Sequence, residues 1–341
     1  MSDLARLDRF RRLLIRLQDD VLRALIAARK RRPREMARVA AQTAADTIYA
    51  IDRVTEEAIV AWFETHWPKA EPVEVVMEGI EGEALTFPLG TAVGATRWIC
   101  ILDPIDGTRG IMYDKRSAWS LAGLAPRPRG RRAPRLDDIV VAVMTELPTT
   151  KQGVADQLSA VRGQGLKAQR LDLAAGKRRS WRPQPSQARD FRHGFASIVK
   201  FFPAGKTRTA ALEEALWAEL LGRAGANQEA VFDDQYVSTG GQLFELIAGR
   251  DRMVADLRPI VLAAVGEPQA LTCHPYDLCT GLLLQEAGGV LEAPLGGVVK
   301  APLDTTSPVA WVGYANPVLA RQVRPVLRRL LTELTAAGEG G

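Results

Sequence analysis

The chain has 341 residues, 47% apolar and 25% charged, with 29 Gly, 20 Pro and a formal net charge of +5. These values exclude a collagen, a low-complexity polymer and a disordered chain, and a chain this long buries a core without disulfide staples. Its three cysteines suit a reducing compartment, no apolar run reaches the roughly 18 residues of a membrane span, and the charged N-terminus reads neither as a secretory signal nor as a presequence, so a soluble, cytoplasmic protein is expected.

Leu4, Leu7, Phe10, Leu14, Leu17, Val21 and Leu25 recur at spacings of three and four, one apolar stripe on a long helix over 4–30. The stripe is expected to pack on the body of the protein or on a second subunit. Pro33 ends this helix. A second is expected over 35–46 and a third over 52–67, the latter burying Ile59, Val60 and Phe63. Short apolar runs then read as strands at 73–77 and 98–102, followed by Glu78 and ending in an apolar run before Asp103 respectively. Further strands are expected at 118–124, 139–145, 158–162 and 194–199, and helices at 209–224, 240–249, 277–288 and 316–332. Alternating strands and helices imply layered α/β (α+β) structure. The Pro- and Arg-rich stretches 126–135 and 176–185 read as exposed loops. A boundary near 176–190 divides the chain into domains 1–190 and 191–335, with a disordered tail at 336–341.

Chemistry concentrates in Asp103-Pro104-Ile105-Asp106-Gly107-Thr108. Pro104 cannot donate to a strand ladder and is expected to stop the strand. Two carboxylates three residues apart then converge from one tight turn. Gly107 permits an unusual backbone angle, so that its N–H and that of Thr108 can bind an anion. Carboxylates held this close repel, and one takes up a proton unless a hard divalent cation lies between them. A lone pair of acids at this spacing is more often a solvated turn.

The six-residue string resembles the metal-binding motif of the inositol monophosphatase family, whose superfamily also holds fructose-1,6-bisphosphatases and phosphoadenosine phosphate phosphatases. Other stretches are similar to that family. Tyr276-Asp277 is followed, after eight residues, by Glu286-Ala287-Gly288-Gly289. Val76-Met77-Glu78 stands where the family has an acid after a strand, with Gly79 in place of a second Glu and with Glu81 and Glu83 as rivals to Glu78. The stretch 47–52 ends in Asp52, which either serves a weaker third metal through water or caps its helix. The stretch 236–256 resembles a turn, helix and strand lining the substrate pocket. Ser238 or Thr239 lies at its turn, and Asp256 at the place of an acid that contacts substrate hydroxyls. An insertion, 257–271, separates Asp256 from Asp277. The resemblance covers 40–335.

The resemblance implies a layered αβαβα sandwich of the sugar phosphatase type, with mixed sheets. It implies a Mg²⁺-dependent, lithium-sensitive phosphomonoesterase, homodimeric, acting on a small phosphorylated metabolite such as an inositol monophosphate or a sugar phosphate. Two or three Mg²⁺ ions are implied, one on Glu78, Asp103 and the Ile105 carbonyl and a second on Asp103, Asp106 and Asp277. The phosphate would rest on the Gly107 and Thr108 N–H groups, and Thr108 and Glu78 would orient and deprotonate a metal-activated water. Arg109, Lys115 and Arg116, a cluster unusual beside this motif, read either as a solvated turn or as the binders of a second acidic group on the substrate. The alternatives are a phosphatase for a bisphosphate or for 3'-phosphoadenosine 5'-phosphate, and a non-catalytic anion-binding relative. Cys273, His274 and Cys279 lack the spacing of a zinc site. Residues 1–38 carry +7, 124–135 carry +5 and 176–183 carry +4, leaving the rest of the chain at −11. The basic excess is therefore local, and a nucleic-acid partner is disfavoured.

Overall fold

A computed structural model of the protein describes residues 2–31, 39–42, 47–79, 84–130, 132–222, 230–267 and 270–338. Helix α1, Asp3–Arg31, follows from the apolar stripe. Phe10, Leu14, Leu17, Val21 and Leu25 are each at most 2% exposed. They face the body of the same chain, in one cluster with Val73, Cys100, Ala122 and Val143. Gln18 is fully buried in that interface. Its amide donates to the Val143 carbonyl (2.9 Å) and accepts from the Thr145 hydroxyl (2.7 Å), so its polar group is satisfied.

The helix expected over 35–46 is not formed. Val39–Gln42 is a strand, β1, antiparallel to β2, Thr47–Tyr49. Pairing with a neighbouring segment here overrides the helical preference of a short Ala-containing run. Residues 35–38 and 43–46 lie outside the described residues. Helix α2, Ala50–His66, buries Ile59, Trp62 and Phe63 beside α1, close to the expected bounds.

An eight-stranded sheet follows. Its strands are β3 (Val73–Met77), β4 (Leu85–Phe87), β5 (Trp98–Asp106), β6 (Ala118–Pro126), β7 (Val141–Leu147), β8 (Val154–Val161), β9 (Leu166–Asp172) and β10 (Arg178–Trp181). The order is β10-β9-β8-β7-β6-β5-β3-β4, and only β3 and β5 run parallel. Strand β5 is buried at all nine positions because it is covered on both faces. Cys100 and Leu102 point to the α1–α2 side, and Ile99 and Ile101 to the opposite side. Two expectations change here. Pro104 does not end the strand; pairing with β6 shifts register between Asp103 and Asp106, and the missing donor of Pro104 falls at that irregularity. The basic segment 176–185 is not all loop, since Arg178–Trp181 is the sheet's edge strand, where exposed arginines are compatible with the pairing.

A five-stranded sheet comprises β11 (Gly194–Ile198), β12 (Val231–Phe232), β13 (Asp251–Asp256), β14 (Val290–Glu292) and β15 (Trp311–Tyr314), in the order β12-β11-β13-β15-β14. Helices α5 (Thr239–Ile247), α7 (Pro275–Leu278) and α8 (Gly281–Glu286) lie between the two sheets, in one core with Ile99, Leu121, Met144 and Trp311. Helices α4 (Lys206–Leu221), α6 (Arg258–Ala264) and α9 (Pro317–Gly338) cover the far face. A short helix α3, Thr108–Met112, joins β5 to β6. The layers are therefore αβαβα. The single helix expected over 277–288 is two, broken at Cys279–Thr280, where the chain passes so close to β6 that a Cβ at Gly123 would sit 2.8 Å from the Cys279 carbonyl oxygen. Helix α9 continues through Gly338, beyond the expected start of a tail; 339–341 lie outside the described residues.

Candidate metal centre

The irregularity in β5 delivers Asp103 and Asp106 to the C-terminal end of that strand. Asp103 is 2% exposed, and its Oδ1 accepts from the Ile105 N–H at 3.0 Å. Gly107 then takes the left-handed conformation (φ 94°), which turns the chain into α3. A side chain at Gly107 would also press on Ser238 and the Val237 carbonyl. The Thr108 hydroxyl donates to the carbonyl of the buried Ile105 at 2.8 Å.

Asp106 sits on the N-terminus of α5. Its Oδ2 accepts from the Ser238 hydroxyl (2.7 Å) and the Gly240 N–H (2.5 Å), and its Oδ1 from the Thr239 N–H (3.2 Å). Ser238 is also the helix cap, its oxygen accepting from Gly241 N–H at 2.9 Å. Gly240 has no room for a side chain, which would strike Leu121 and the Asp106 carboxylate. Asp277 is the third residue of α7, which starts at Pro275, and its Oδ2 accepts from the His274 N–H at 2.6 Å. It is both a cap and a member of the site.

Carboxylate oxygens of Asp103, Asp106 and Asp277 lie within 4.8 Å of one another. Burial, then the charges of Glu78, Asp106 and Asp277, push the Asp103 carboxyl far above its ordinary range. Burial and the charge of Asp106 do the same to Asp277. Burial raises Asp106 to about 6, against the pull of the Ser238, Gly240 and Thr239 donors and the Arg258 charge. Three acids converging in a low-dielectric site favour a cation among them. The donors are all oxygens, which fits a hard divalent ion of the Mg²⁺ type better than zinc or copper.

Glu78 follows β3 directly, is half-buried and lines the same cleft as the three aspartates. Its rivals Glu81 and Glu83 lie outside the described residues, as does the side chain of Asp52, whose backbone is in the first turn of α2. Gly79 has φ 83°, and a Cβ there would run into the Glu56 carboxylate. Glu56 reaches the cleft from α2, beside Gly79. Glu56, not among the candidates above, has one signal in the sequence: its place four residues after Asp52, on the same face of the expected helix.

Gly107, Thr108, Arg109, Ser238 and Thr239 also line the cleft. Lys115 is exposed and outside its lining. Arg116 is turned away, paired with both carboxylate oxygens of Asp234 (2.8 and 2.9 Å) and lying 3.9 Å above the Tyr236 ring. Asp256 is fully buried and gripped by Arg258, so it does not meet the cleft, whereas Arg258, Phe201 and Phe202 do. None of these three was singled out from the sequence. No described helix is long and apolar enough to cross a membrane.

No protein-family model and no curated protein matches the chain. Solved structures do. Fructose-1,6-bisphosphatase of Leishmania major superposes with a TM-score of 0.63 at 12% identity, covering 94% of each chain. The extragenic suppressor protein SuhB of Bartonella henselae gives 0.61 at 18% identity, covering 94% of this chain and 98% of its own. Inositol monophosphatase of Anabaena gives 0.57 at 14%, covering 96% and 97%. The chain has the fold that these structures share.

Proposed function

We propose that this chain, built on the fold of the inositol monophosphatases and fructose-1,6-bisphosphatase, is a Mg²⁺-dependent phosphomonoesterase acting on a small phosphorylated metabolite. The observation that carries the reading is the triad of buried Asp103 and Asp106 with half-buried Asp277, their oxygens within 4.8 Å, on the wall of a cleft also lined by Glu78, Gly107 and Thr108. Glu78, Asp103 and the Ile105 carbonyl would hold one ion and Asp103, Asp106 and Asp277 another; Asp52 is the candidate for a third. Bound there, the ions would neutralise the phosphate and make a water more acidic.

The protein's own groups supply the rest. The N–H groups of Gly107 and Thr108 receive the phosphate oxygens at the start of α3. Glu78 is the general base. It takes a proton from the attacking water as the new P–O bond forms and the ester P–O bond breaks, and the leaving alkoxide takes a proton from solvent water to depart as the alcohol. Ser238, Thr239 and Gly240 fix the Asp106 carboxylate, so no reorganisation is needed during the reaction.

The test is phosphate release from sugar, inositol and nucleotide monophosphates with Mg²⁺, with EDTA and with added Li⁺. Turnover is expected only with Mg²⁺ and is expected to fall with Li⁺. Asp103→Asn should lower kcat by about three orders of magnitude or more. The same variant should melt at a higher temperature than the wild type in EDTA at neutral pH, because the cost of holding that carboxyl protonated among other buried acids is gone, and should lose most of the rise that Mg²⁺ gives the wild type. Near-wild-type turnover in the variant overturns the reading.

A further inference from the structure

Asp256 and Arg258 form a pair that inverts the character of one side of the cleft. Asp256 ends β13, is fully buried, and has both oxygens engaged. Arg258 Nε donates to Oδ1 (2.9 Å) and Oδ2 (3.1 Å), Nη2 to Oδ2 (2.6 Å), and the Arg258 backbone N–H to Oδ1 (3.1 Å). The carboxylate is therefore behind the guanidinium. It has no capacity left to receive the hydroxyls of a neutral sugar or cyclitol.

Arg258 is the first residue of α6, inside the insertion 257–271. Its guanidinium lies 5.2 Å from the Phe201 ring centre and 5.8 Å from that of Phe202, and Nη1 donates to the Leu271 carbonyl at 3.4 Å. Of the five N–H groups an arginine carries, the Nε, one on Nη2 and one on Nη1 are used. One on each terminal nitrogen has no partner among the described residues. The side chain is 12% exposed. It lines both the metal cleft and an adjoining, largely apolar cavity walled by Phe201, Phe202, Val261 and Leu262. Its charge is felt at both Asp106 and Asp277, which places it on the side of the metal centre rather than at a distance. A cation clamped in one orientation over aromatic faces is preorganised for a planar or tetrahedral anion.

We propose that Arg258, held by Asp256, is the specificity-determining residue of this cleft and that the substrate carries, besides the phosphate that is hydrolysed, a second anionic group, a carboxylate or a second phosphoryl group, which Arg258 receives. The inference rests on the phosphomonoesterase reading above and says which esters that site accepts. Arg109 is the rival cation on the cleft wall.

The experiment compares kcat/KM within pairs that differ by one anionic group, with the full chain and Mg²⁺: 2-phosphoglycolate against ethyl phosphate, and a hexose 1,6-bisphosphate against the matching hexose 1-phosphate. At least one pair should favour the more anionic ester by about tenfold to hundredfold, carried by KM, the magnitude of one or two hydrogen bonds to a charged group. The pair that responds tells carboxylate from phosphate. Arg258→Gln should bring the ratio close to one by raising KM for the more anionic ester. Because that change strands a buried carboxylate, the double variant Asp256→Asn/Arg258→Gln is measured beside it, with thermal unfolding to establish folding. It should show the same loss. Ratios near one for the wild type overturn the inference, as does a preference that survives in a folded Arg258 variant or that is lost in Arg109→Gln instead. Absence of release from every ester, with Mg²⁺ present, removes the phosphatase reading and this inference together, and is distinct from turnover without preference.

Discussion

Asp103 and Asp251 are both buried acids lifted above their ordinary range, yet they differ in what could relieve them. Asp103 faces two other site carboxylates and a cleft into which a cation can come. Asp251 opens β13 away from that cleft, 6% exposed, and is raised to about 7 by burial and by the charges of Glu245 and Asp234, with Arg116 and Arg250 opposing. Among the described residues no cation site relieves it, so the effect should be readable in stability. In the unfolded chain this acid titrates near 3.8; in the folded chain it keeps its proton to about 7. The folded state therefore binds more protons between those values, and stability falls as pH rises from about 4 to 7, then levels. Asp251→Asn should match the wild type at pH 4 and exceed it at pH 8, by a few kcal/mol at most. Denaturant unfolding at the two pH values measures this. An equal difference at both would show that the carboxyl charge is not the cause.

At the level of elements, α5 ties the two halves of the site together. Its cap, Ser238, serves the helix through Gly241 N–H and the metal centre through Asp106 Oδ2. Ser238→Ala removes both bonds, leaving Asp106 with the Thr239 and Gly240 N–H groups. A loss of about 1–2 kcal/mol in stability is expected, together with weaker Mg²⁺ binding. Thermal unfolding across a Mg²⁺ titration reads both quantities, and an unchanged Mg²⁺ midpoint would sever the link between the cap and the metal centre. Elements were legible in the sequence where one periodicity dominated. The α1 stripe, the largely apolar β3 and the continuous apolar run of β5 are of this kind; Asp103 and Asp106 follow the last of these, whereas Asp277 was legible only through the resemblance of the stretch 276–289. The misreadings have tertiary causes. Val39–Gln42 finds a strand partner, α7 and α8 are broken where Cys279 meets Gly123, and arginine-rich β10 looks like a loop because its side chains stand at a sheet edge. Glu56 and Arg258 stayed hidden for a related reason. Each reaches the cleft from an element whose own pattern carries no sign of it.

Across the whole molecule, the most basic stretch also carries a buried apolar stripe. Helix α1 belongs to the +7 N-terminal stretch, yet Asp3, Asp8 and Asp20 on the same helix pair with Arg6, with Arg11 and Arg12, and with Arg23, while Asp19 pairs with Arg178 of β10. Exposed pairs of this sort add little to stability. The apolar face does the holding, and it covers the side of the eight-stranded sheet opposite to the metal-lined layer. That arrangement separates scaffold from site. Near the end of α1, Arg29 donates to the carbonyl of Pro148 and, at 3.5 Å, to that of Ile111 in α3, the only contact of the helix toward the Gly107–Thr108 turn among the bonds of the described residues. Leu14 lies fully buried in the middle of the stripe and makes no part of these bonds. Leu14→Ala should cost about 2–5 kcal/mol through lost transfer energy and a residual cavity. The turnover of the molecules that remain folded should be unaltered, because β5 still presents Asp103 and Asp106 from its far end. Urea unfolding gives the first quantity, and phosphate release with saturating Mg²⁺ well below the new unfolding midpoint gives the second. A kcat that falls in step with stability would mean that α1 sets the geometry of the site as well as supporting the sheet beneath it.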